Sequence, residues 1–226
     1  MSGTFTMRTH RLRPWQAGLY HDAIRAGRGP LFLRGAGGRL LPLEVERWCA
    51  RADLADLTVL HRCAGTVLDI GCGPGRLVAA LPGLGHPALG IDVSPEAVAR
   101  TARSAPLGGR ALCRSVFDPL PDEGRWHTAL LIDGNIGIGG DPRALLGRIS
   151  QITAAGGLLL VETAPGDVDD RMLVRMSDGR SSFGTAFPWA RLGVPALLRV
   201  ARETGWVSSE RWRTPHRSFV ALRRAP

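Results

Sequence analysis

Four residues between positions 69 and 75 have types and a spacing that could bind a small charged ligand. Asp69 lies in an apolar run, and Gly71, Gly73 and Gly75 follow it at alternate positions. Glycines at such a point let a strand reverse tightly into a helix, and their lack of side chains lets a ligand approach the backbone. A carboxylate beside this turn repels a phosphate group and attracts an ammonium group. The pattern therefore predicts a site for a ligand that carries a positive charge.

The same spacing argues against a nicotinamide dinucleotide. The fingerprint of such sites, G-x-G-x-x-G, would need glycine at position 76, where this chain has Arg76. A tight turn without a ligand is the simpler alternative, but a second acidic residue favours binding. Asp92 ends the short apolar run 88–92, where a carboxylate can accept hydrogen bonds from both hydroxyls of a ribose. Together the two acids favour a nucleoside ligand.

These residues need alternating strands and helices to bring them together. Ser94 is a suitable N-cap for a helix whose first residue is Pro95, and Asp141 and Pro142 can open another helix in the same way. Further strands are predicted at about 110–113, 127–132 and 157–162, with a final antiparallel pair at about 206–212 and 217–222. This alternation predicts an α/β fold in which a mostly parallel sheet is covered on both faces.

At this point the chain resembles the class I S-adenosylmethionine (SAM)-dependent methyltransferases. The resemblance rests on the segment 69–75, on Asp92, on the strand 128–132 with the residues 133–135 that follow it, and on the segment 156–162. It covers roughly residues 60 to 223 in the right order and spacing. It implies a doubly wound, seven-stranded, mostly parallel sheet with an antiparallel C-terminal strand. It also implies that SAM is the cofactor and S-adenosylhomocysteine the product.

The resemblance can be carried onto individual positions of this chain. The implied cofactor-binding residues are Asp69, Gly71, Cys72, Gly73, Gly75, Asp92, Val93, Ser115, Val116, Phe117, Asp133, Gly134 and Asn135. The family often places an acid against the adenine amino group, but here Ser115 stands at that position and Asp118 follows three residues later. Either Ser115 or the backbone amide of Val116 could bind the ring edge. Phe117 either packs on the ring face or lies in the core.

Methyl transfer from a sulfonium is an in-line displacement, so the enzyme mainly aligns the acceptor and removes water. A base is needed only if the acceptor carries a proton at neutral pH. Asp133 and His21 are the predicted catalytic candidates, with His127 and His216 as weaker ones, although a lone histidine is more often structural. Trp15, Tyr20 and Trp189 are predicted to line the acceptor pocket, although aromatic residues at these spacings are more often core.

Two segments are expected to cover the site. Residues 1–60 are predicted to form a cap, with a helix over 15–26 and a hairpin over 30–42, and a second hairpin is expected at about 167–191 within the methyltransferase domain 61–226. The glycines of 137–140 indicate a backbone that runs against something flat or a mobile lid.

Composition excludes several other classes. The formal net charge is +9, and every one of the 29 basic residues is Arg, but they are scattered rather than gathered into a basic tail. Nucleic acid is therefore an unlikely partner. The four cysteines lack metal-ligand spacing, so no metal site is expected. Without a signal sequence or a membrane-length apolar run, we expect a cytoplasmic protein without a membrane partner.

The sequence thus predicts a SAM-dependent methyltransferase that acts on a small molecule, of the kind made in secondary metabolism. Two alternatives stay open: an RNA or DNA methyltransferase, and a SAM-binding protein without transfer activity. The identity of the acceptor atom, whether O, N, C or S, and the oligomeric state lie beyond what the sequence indicates.

Overall fold

The computed structural model describes residues 15, 18–105 and 109–225. Its strands are β1 (Phe32–Arg34), β2 (Leu40–Pro42), β3 (Val67–Ile70), β4 (Ala88–Asp92), β5 (Arg110–Cys113), β6 (Trp126–Leu131), β7 (Thr153–Thr163), β8 (Asp169–Ser177), β9 (Ser182–Leu192), β10 (Trp206–Arg213) and β11 (Ser218–Arg224). Its α-helices are α1 (Leu19–Ala26), α2 (Val45–Cys49), α3 (Leu54–Leu60), α4 (Arg76–Ala80), α5 (Pro95–Ser104), α6 (Pro142–Ile152) and α7 (Val194–Glu203). Three short 3₁₀ helices cover Ala36–Gly38, Leu81–Leu84 and Asn135–Gly140.

The larger sheet has seven strands in the order β10-β11-β7-β6-β3-β4-β5. Its strands pair in parallel from β7 to β5, whereas β11 pairs antiparallel with both β7 and β10. Every residue of β3 and β4 is buried, as expected of central parallel strands covered on both faces. The predicted fold class, including its antiparallel C-terminal strand, is confirmed.

Helices pack on both faces of this sheet. On one face, α6 and α7 bury Leu145 and Leu197 against the sheet, and on the other face α3 buries Leu60. The predicted helix starts are confirmed: Ser94 Oγ accepts a hydrogen bond from the Ala97 amide, and a carboxylate oxygen of Asp141 accepts two from the amides that follow it. These caps fix where α5 and α6 begin relative to the sheet edge.

A second sheet has four antiparallel strands in the order β2-β1-β8-β9. Both hairpins were predicted, but their pairing with each other was not: Leu33 of β1 lies opposite Met176 of β8. The two strands of the predicted cap and the inserted hairpin therefore form one sheet. The predicted helix over 15–26 is shorter, because α1 begins at Leu19 and Trp15 lies in the turn before it.

The second sheet is pressed against the glycine-rich segment that follows β6. A Cβ on Gly137 would lie 2.5 Å from the Trp189 ring, and one on Gly140 would lie 2.5 Å from Pro188 Cβ. Since neither contact leaves room for a side chain, these glycines let the backbone run flat against β9. This is one of the two alternatives indicated by the sequence.

Candidate functional site

A cavity of about 340 Å³ lies at the carboxyl edge of β3, β4 and β6, beneath α1, α2 and the second sheet. Ligands of doubly wound folds bind at this edge. The predicted residues that line it are Trp15, Tyr20, Asp69, Gly71, Cys72, Gly73, Asp92, Val93, Ser115, Val116, Phe117, Asp133, Asn135 and Trp189. The predicted residues Gly75, Gly134 and His21 do not line it.

The glycine loop between β3 and α4 is held in place by Asn135. Its amide nitrogen Nδ2 donates hydrogen bonds to the carbonyl oxygens of Ile70, at 2.9 Å, and Gly71, at 3.0 Å. A Cβ on Gly71 would lie 2.7 Å from that nitrogen, and Gly71 also has a left-handed φ of 73°. Asn135 therefore braces the loop that faces the cavity.

The other two glycines of the loop have different surroundings. Among the described residues, a Cβ on Gly73 would meet only the Tyr20 hydroxyl, at 3.8 Å, so this position opens into the cavity. A Cβ on Gly75 would lie 2.5 Å from Thr101 Cγ2, so Gly75 lets α4 pack closely against α5. Gly73 thus leaves space for a ligand, whereas Gly71 and Gly75 allow close packing.

Asp92 is buried at the end of β4 and faces the cavity. Its Oδ2 accepts a hydrogen bond from the Gly73 amide at 3.0 Å, and its Oδ1 accepts one from the Ser94 amide at 2.8 Å. Burial raises its pKa to about 6, against the lowering effect of these amides. Each oxygen retains a further lone pair, which suits the two hydroxyls of a ribose.

Asp69 is the most exceptional acid of the site. The residue is 2% exposed, and its Oδ2 has no hydrogen-bond partner among the described residues. Burial raises its pKa to about 7, and the negative charge of Asp133 adds to this shift while Arg76 opposes it. A buried carboxylate oxygen without a partner is costly, and an ammonium group supplied by a ligand would compensate it. The residues present therefore fit the methionyl and ribose ends of SAM.

The resemblance implies that the adenine of SAM is bound at the turn after β5. Asp118 does not line the cavity, because its Oδ2 accepts a hydrogen bond from the Ser115 amide at 3.0 Å and holds the turn. Val116 is buried, whereas Phe117 is 46% exposed and lines the cavity beside Gly139. Phe117 is therefore not a core residue, and its ring is available to stack on a flat group.

A network of arginines and acids beneath the cavity was missed by the sequence analysis. Arg76 contacts Asp56 at 2.5 Å and Asp133 at 2.6 Å, both carboxylates being buried or nearly so. Arg217 contacts Asp56 at 2.7 Å and Glu162 at 2.8 Å. Burial opposes the charge of Arg217, but its hydrogen bonds to Glu162 and Asp56 raise its pKa above the ordinary value. A charged residue in the apolar helix α3, Asp56, was the one signal available.

Asp133 belongs to this network, which limits its use as a base. Its Oδ1 lies 2.8 Å from Arg47 and 3.4 Å from Arg217, and its Oδ2 lies 2.6 Å from Arg76. The three guanidinium contacts thus engage both oxygens of this carboxylate. Its backbone amide donates to Glu162 at 2.7 Å, and its φ of 58° is left-handed, so the residue is firmly placed.

The predicted histidines are not brought to the cavity. His21 lies on the side of α1 that faces Glu96, with 3.6 Å between Nε2 and Oε2. His127 contacts Thr66, and neither it nor His216 lines the cavity. The catalytic role expected of His21 thus has no support from its position.

The described residues give two further findings. They contain no group of three or more His, Cys, Asp or Glu side chains that could hold a metal ion. Within the same part of the chain, no helix is both long enough and apolar enough to cross a membrane.

Comparisons with known proteins agree with this geometry. A family model described as a methyltransferase domain matches residues 47–219. A release factor glutamine methyltransferase from Rhodospirillum rubrum is 31% identical over 147 residues, covering 51% of this chain and 45% of that protein. The chain therefore spans less than half the length of that relative.

Solved structures show the same fold. A SAM-dependent methyltransferase from Bacteroides fragilis, in complex with S-adenosylhomocysteine, has a TM-score of 0.74 at 20% identity, with 91% of this chain and 92% of that chain covered. A 1,6-didemethyltoxoflavin-N1-methyltransferase from Burkholderia thailandensis, with 1,6-didemethyltoxoflavin and S-adenosylhomocysteine bound, has a TM-score of 0.57 at 22% identity, with 75% and 74% covered.

Proposed function

Because the chain belongs to the methyltransferase-domain family and has the class I SAM-dependent fold, we propose that it transfers the methyl group of SAM to a small molecule, of the kind made in secondary metabolism. One observation carries the proposal. One cavity joins Asp69, whose Oδ2 has no hydrogen-bond partner among the described residues, to a group of aromatic side chains above it. Such a cavity has room for a cofactor at one end and an acceptor at the other.

The chain's own residues would divide the work between binding and orientation. SAM supplies a methyl group on a positively charged sulfur. Asp69 would hold its ammonium group and Asp92 its ribose, while Phe117 would lie on the adenine and Ser115 or the Val116 amide at its edge. The glycine loop, which Asn135 braces, holds these contacts in place. The segments that cover the cavity exclude water, so alignment of the acceptor with the methyl group supplies most of the rate enhancement.

The segments that cover the cavity favour a small acceptor. We propose that the described part of residues 1–60, together with the hairpin of β8 and β9, forms the cover of the acceptor site. Two arginines line the cavity among the described residues; Arg76 is already paired with acids and Arg114 is exposed. A channel for a phosphate backbone would instead present several free cations along its length.

The test is product formation from isotopically labelled SAM and a fractionated metabolite extract. Methylation of a low-mass compound, with release of S-adenosylhomocysteine, is the expected result. Labelled RNA or DNA, with a steep dependence of affinity on salt, would overturn the small-molecule assignment. Tight S-adenosylhomocysteine binding with no labelled product in any fraction would indicate a SAM-binding protein without transfer activity.

A further inference from the structure

Aromatic side chains are concentrated at the acceptor end of the cavity. Only 6% of the chain is Phe, Trp or Tyr. Yet four such residues from α1, α2 and β9 line this end, and we call them the aromatic wall: Tyr20, Trp48, Phe187 and Trp189. Tyr20, Phe187 and Trp189 are each less than one-tenth exposed, so the wall is firmly packed from behind.

A flat bicyclic ring already lies against this wall. The indole of Trp15 has its centroid 5.1 Å from the Tyr20 ring, 5.4 Å from Phe187 and 5.4 Å from Trp189. Its planes make angles of 83°, 66° and 40° with those rings, within the range of favourable aromatic pairs. Trp15 is only half-buried and precedes α1, so it is less constrained than the wall it contacts.

The wall adjoins the point where the methyl group must be presented. The Tyr20 hydroxyl approaches Gly73, the open position of the glycine loop. Burial and the nearby Asp92 raise the pKa of Tyr20 well above its ordinary value, so this group stays an uncharged hydroxyl. A ring against the wall would therefore have one edge near the glycine loop and one face against uncharged groups.

We infer that the acceptor is a flat, uncharged nitrogen heteroaromatic molecule bound against the aromatic wall; this rests on the function proposed above. An anionic acceptor would meet the carboxylates of Asp69 and Asp92 without a free cation among the described wall residues. A cationic amine has no lone pair until it loses a proton. Of the described acids that line the cavity, Asp133 is engaged by arginines, and Asp69 and Asp92 are assigned to the cofactor in the proposed function. None of the described histidines lines the cavity.

A ring nitrogen needs no base. Its in-plane lone pair forms the new bond to the methyl carbon while the carbon–sulfur bond breaks and leaves its electron pair on sulfur. The positive charge passes from sulfur to the ring, and no proton moves. This step suits a site in which Asp133 is engaged by three arginines and His21 lies outside the cavity.

Three probes that share a skeleton of two fused six-membered rings test the inference. Binding of quinoline, naphthalene-2-carboxylate and decahydroquinoline is measured by ligand-detected NMR, with the protein saturated with S-adenosylhomocysteine. Quinoline should bind about tenfold more tightly than the anionic and the saturated cationic probes. Equal or tighter binding of either other probe, or no binding of quinoline, overturns the inference. If S-adenosylhomocysteine itself does not bind, the proposed function is overturned together with this inference.

A matched pair of variants on one strand locates the site. Phe187→Leu should weaken quinoline binding several-fold and leave S-adenosylhomocysteine binding unchanged. Phe183→Leu makes the same change on β9 at an exposed position outside the cavity and should alter neither. Equal quinoline affinity in both variants would overturn the assignment. Trp48→Leu, at a half-buried position of the wall, applies the same test should Phe187→Leu fail to fold.

Discussion

Two groups of acids lie near the same edge of the sheet, and they differ in their partners. The first group is Asp56, which is buried, with Asp133 and Glu162, which are partly buried; each contacts at least one guanidinium group of Arg47, Arg76 or Arg217 within 2.8 Å. Asp69 and Asp92 are buried and have no such partner among the described residues. Burial raises their pKa values to about 7 and about 6.

The difference shows which charges the chain compensates itself. In the first group, three arginines neutralise the acids and tie α2, α3, α4 and the residue before β11 to the sheet edge. In the second group, we propose that compensation comes from a ligand that brings its own cation and hydroxyls. Burial alone therefore does not separate structural acids from binding acids, whereas the presence of a partner does.

Removing one arginine from the first group should have the largest effect. Arg76→Met leaves Asp56 buried without one of its cations, which is expected to cost about 3–5 kcal/mol of unfolding free energy. Chemical denaturation measures this cost. Arg143→Met is the matched control, because Arg143 and Glu203 form an exposed pair and the loss there should stay below about 1 kcal/mol. Similar losses of unfolding free energy in both variants would contradict the distinction between buried and exposed ion pairs.

Asp69→Asn should have the opposite sign in the free protein. The folded-state pKa of Asp69 is raised from 3.8 to about 7, so its protonated form stabilises the fold at low pH and that stability is lost as the pH rises towards 7. At about pH 8 the variant should be more stable than the wild type, by up to about 4 kcal/mol.

The measurement is urea denaturation of both proteins at about pH 4 and about pH 8, without ligand. The advantage of Asp69→Asn should grow with pH, whereas Asp56→Asn, which removes an arginine-paired acid, should destabilise throughout. A pH-independent difference between Asp69→Asn and the wild type would show that Asp69 is not held uncompensated.

Ligand affinity should depend on pH for the same reason. S-adenosylhomocysteine has the ammonium group that Asp69 is expected to bind, and this contact requires the ionised carboxylate. Binding must therefore release a proton below about pH 7, so the affinity should rise about 50-fold between about pH 5 and about pH 7. Calorimetry in buffers of different ionisation enthalpy measures the released proton. Affinity that falls or stays level over this range would contradict the role proposed for Asp69 in binding the ammonium group.

Asp92→Ala should give the smallest of these effects. It removes hydrogen bonds to two ribose hydroxyls, each worth about 1 kcal/mol net, and so should weaken S-adenosylhomocysteine binding about tenfold or somewhat more. Calorimetry again provides the measurement, with circular dichroism as the check that the variant is folded. Unchanged affinity in a folded variant would remove Asp92 from the site.

What could be predicted from the sequence was set by local signals. Asp69 and the glycines lie within seven residues of one another, and Ser94 caps the helix that it precedes. Short-range patterns therefore sufficed to predict the sheet and the residues of the glycine loop. The arginine network could not be predicted, because Arg47 and Arg217 meet Asp133 from distant parts of the chain and arginines occur throughout the sequence. Phe187 was missed although it lies two residues before Trp189 in β9, where alternate side chains share a face.

The second sheet has a consequence for the order in which the protein is assembled during synthesis. Arg34 of β1 hydrogen-bonds to Ser177 of β8, which follows 143 residues later. The hairpin of β1 and β2, with three residues in each strand, is too short to be stable alone and must wait for its partner. By then β3 to β7 have all been translated, so the cofactor half can fold before the acceptor half is complete. A nascent chain stalled after β7 should therefore contain the glycine loop and its acids but have no closed cavity, and closure of the aromatic wall should be a late, slow step.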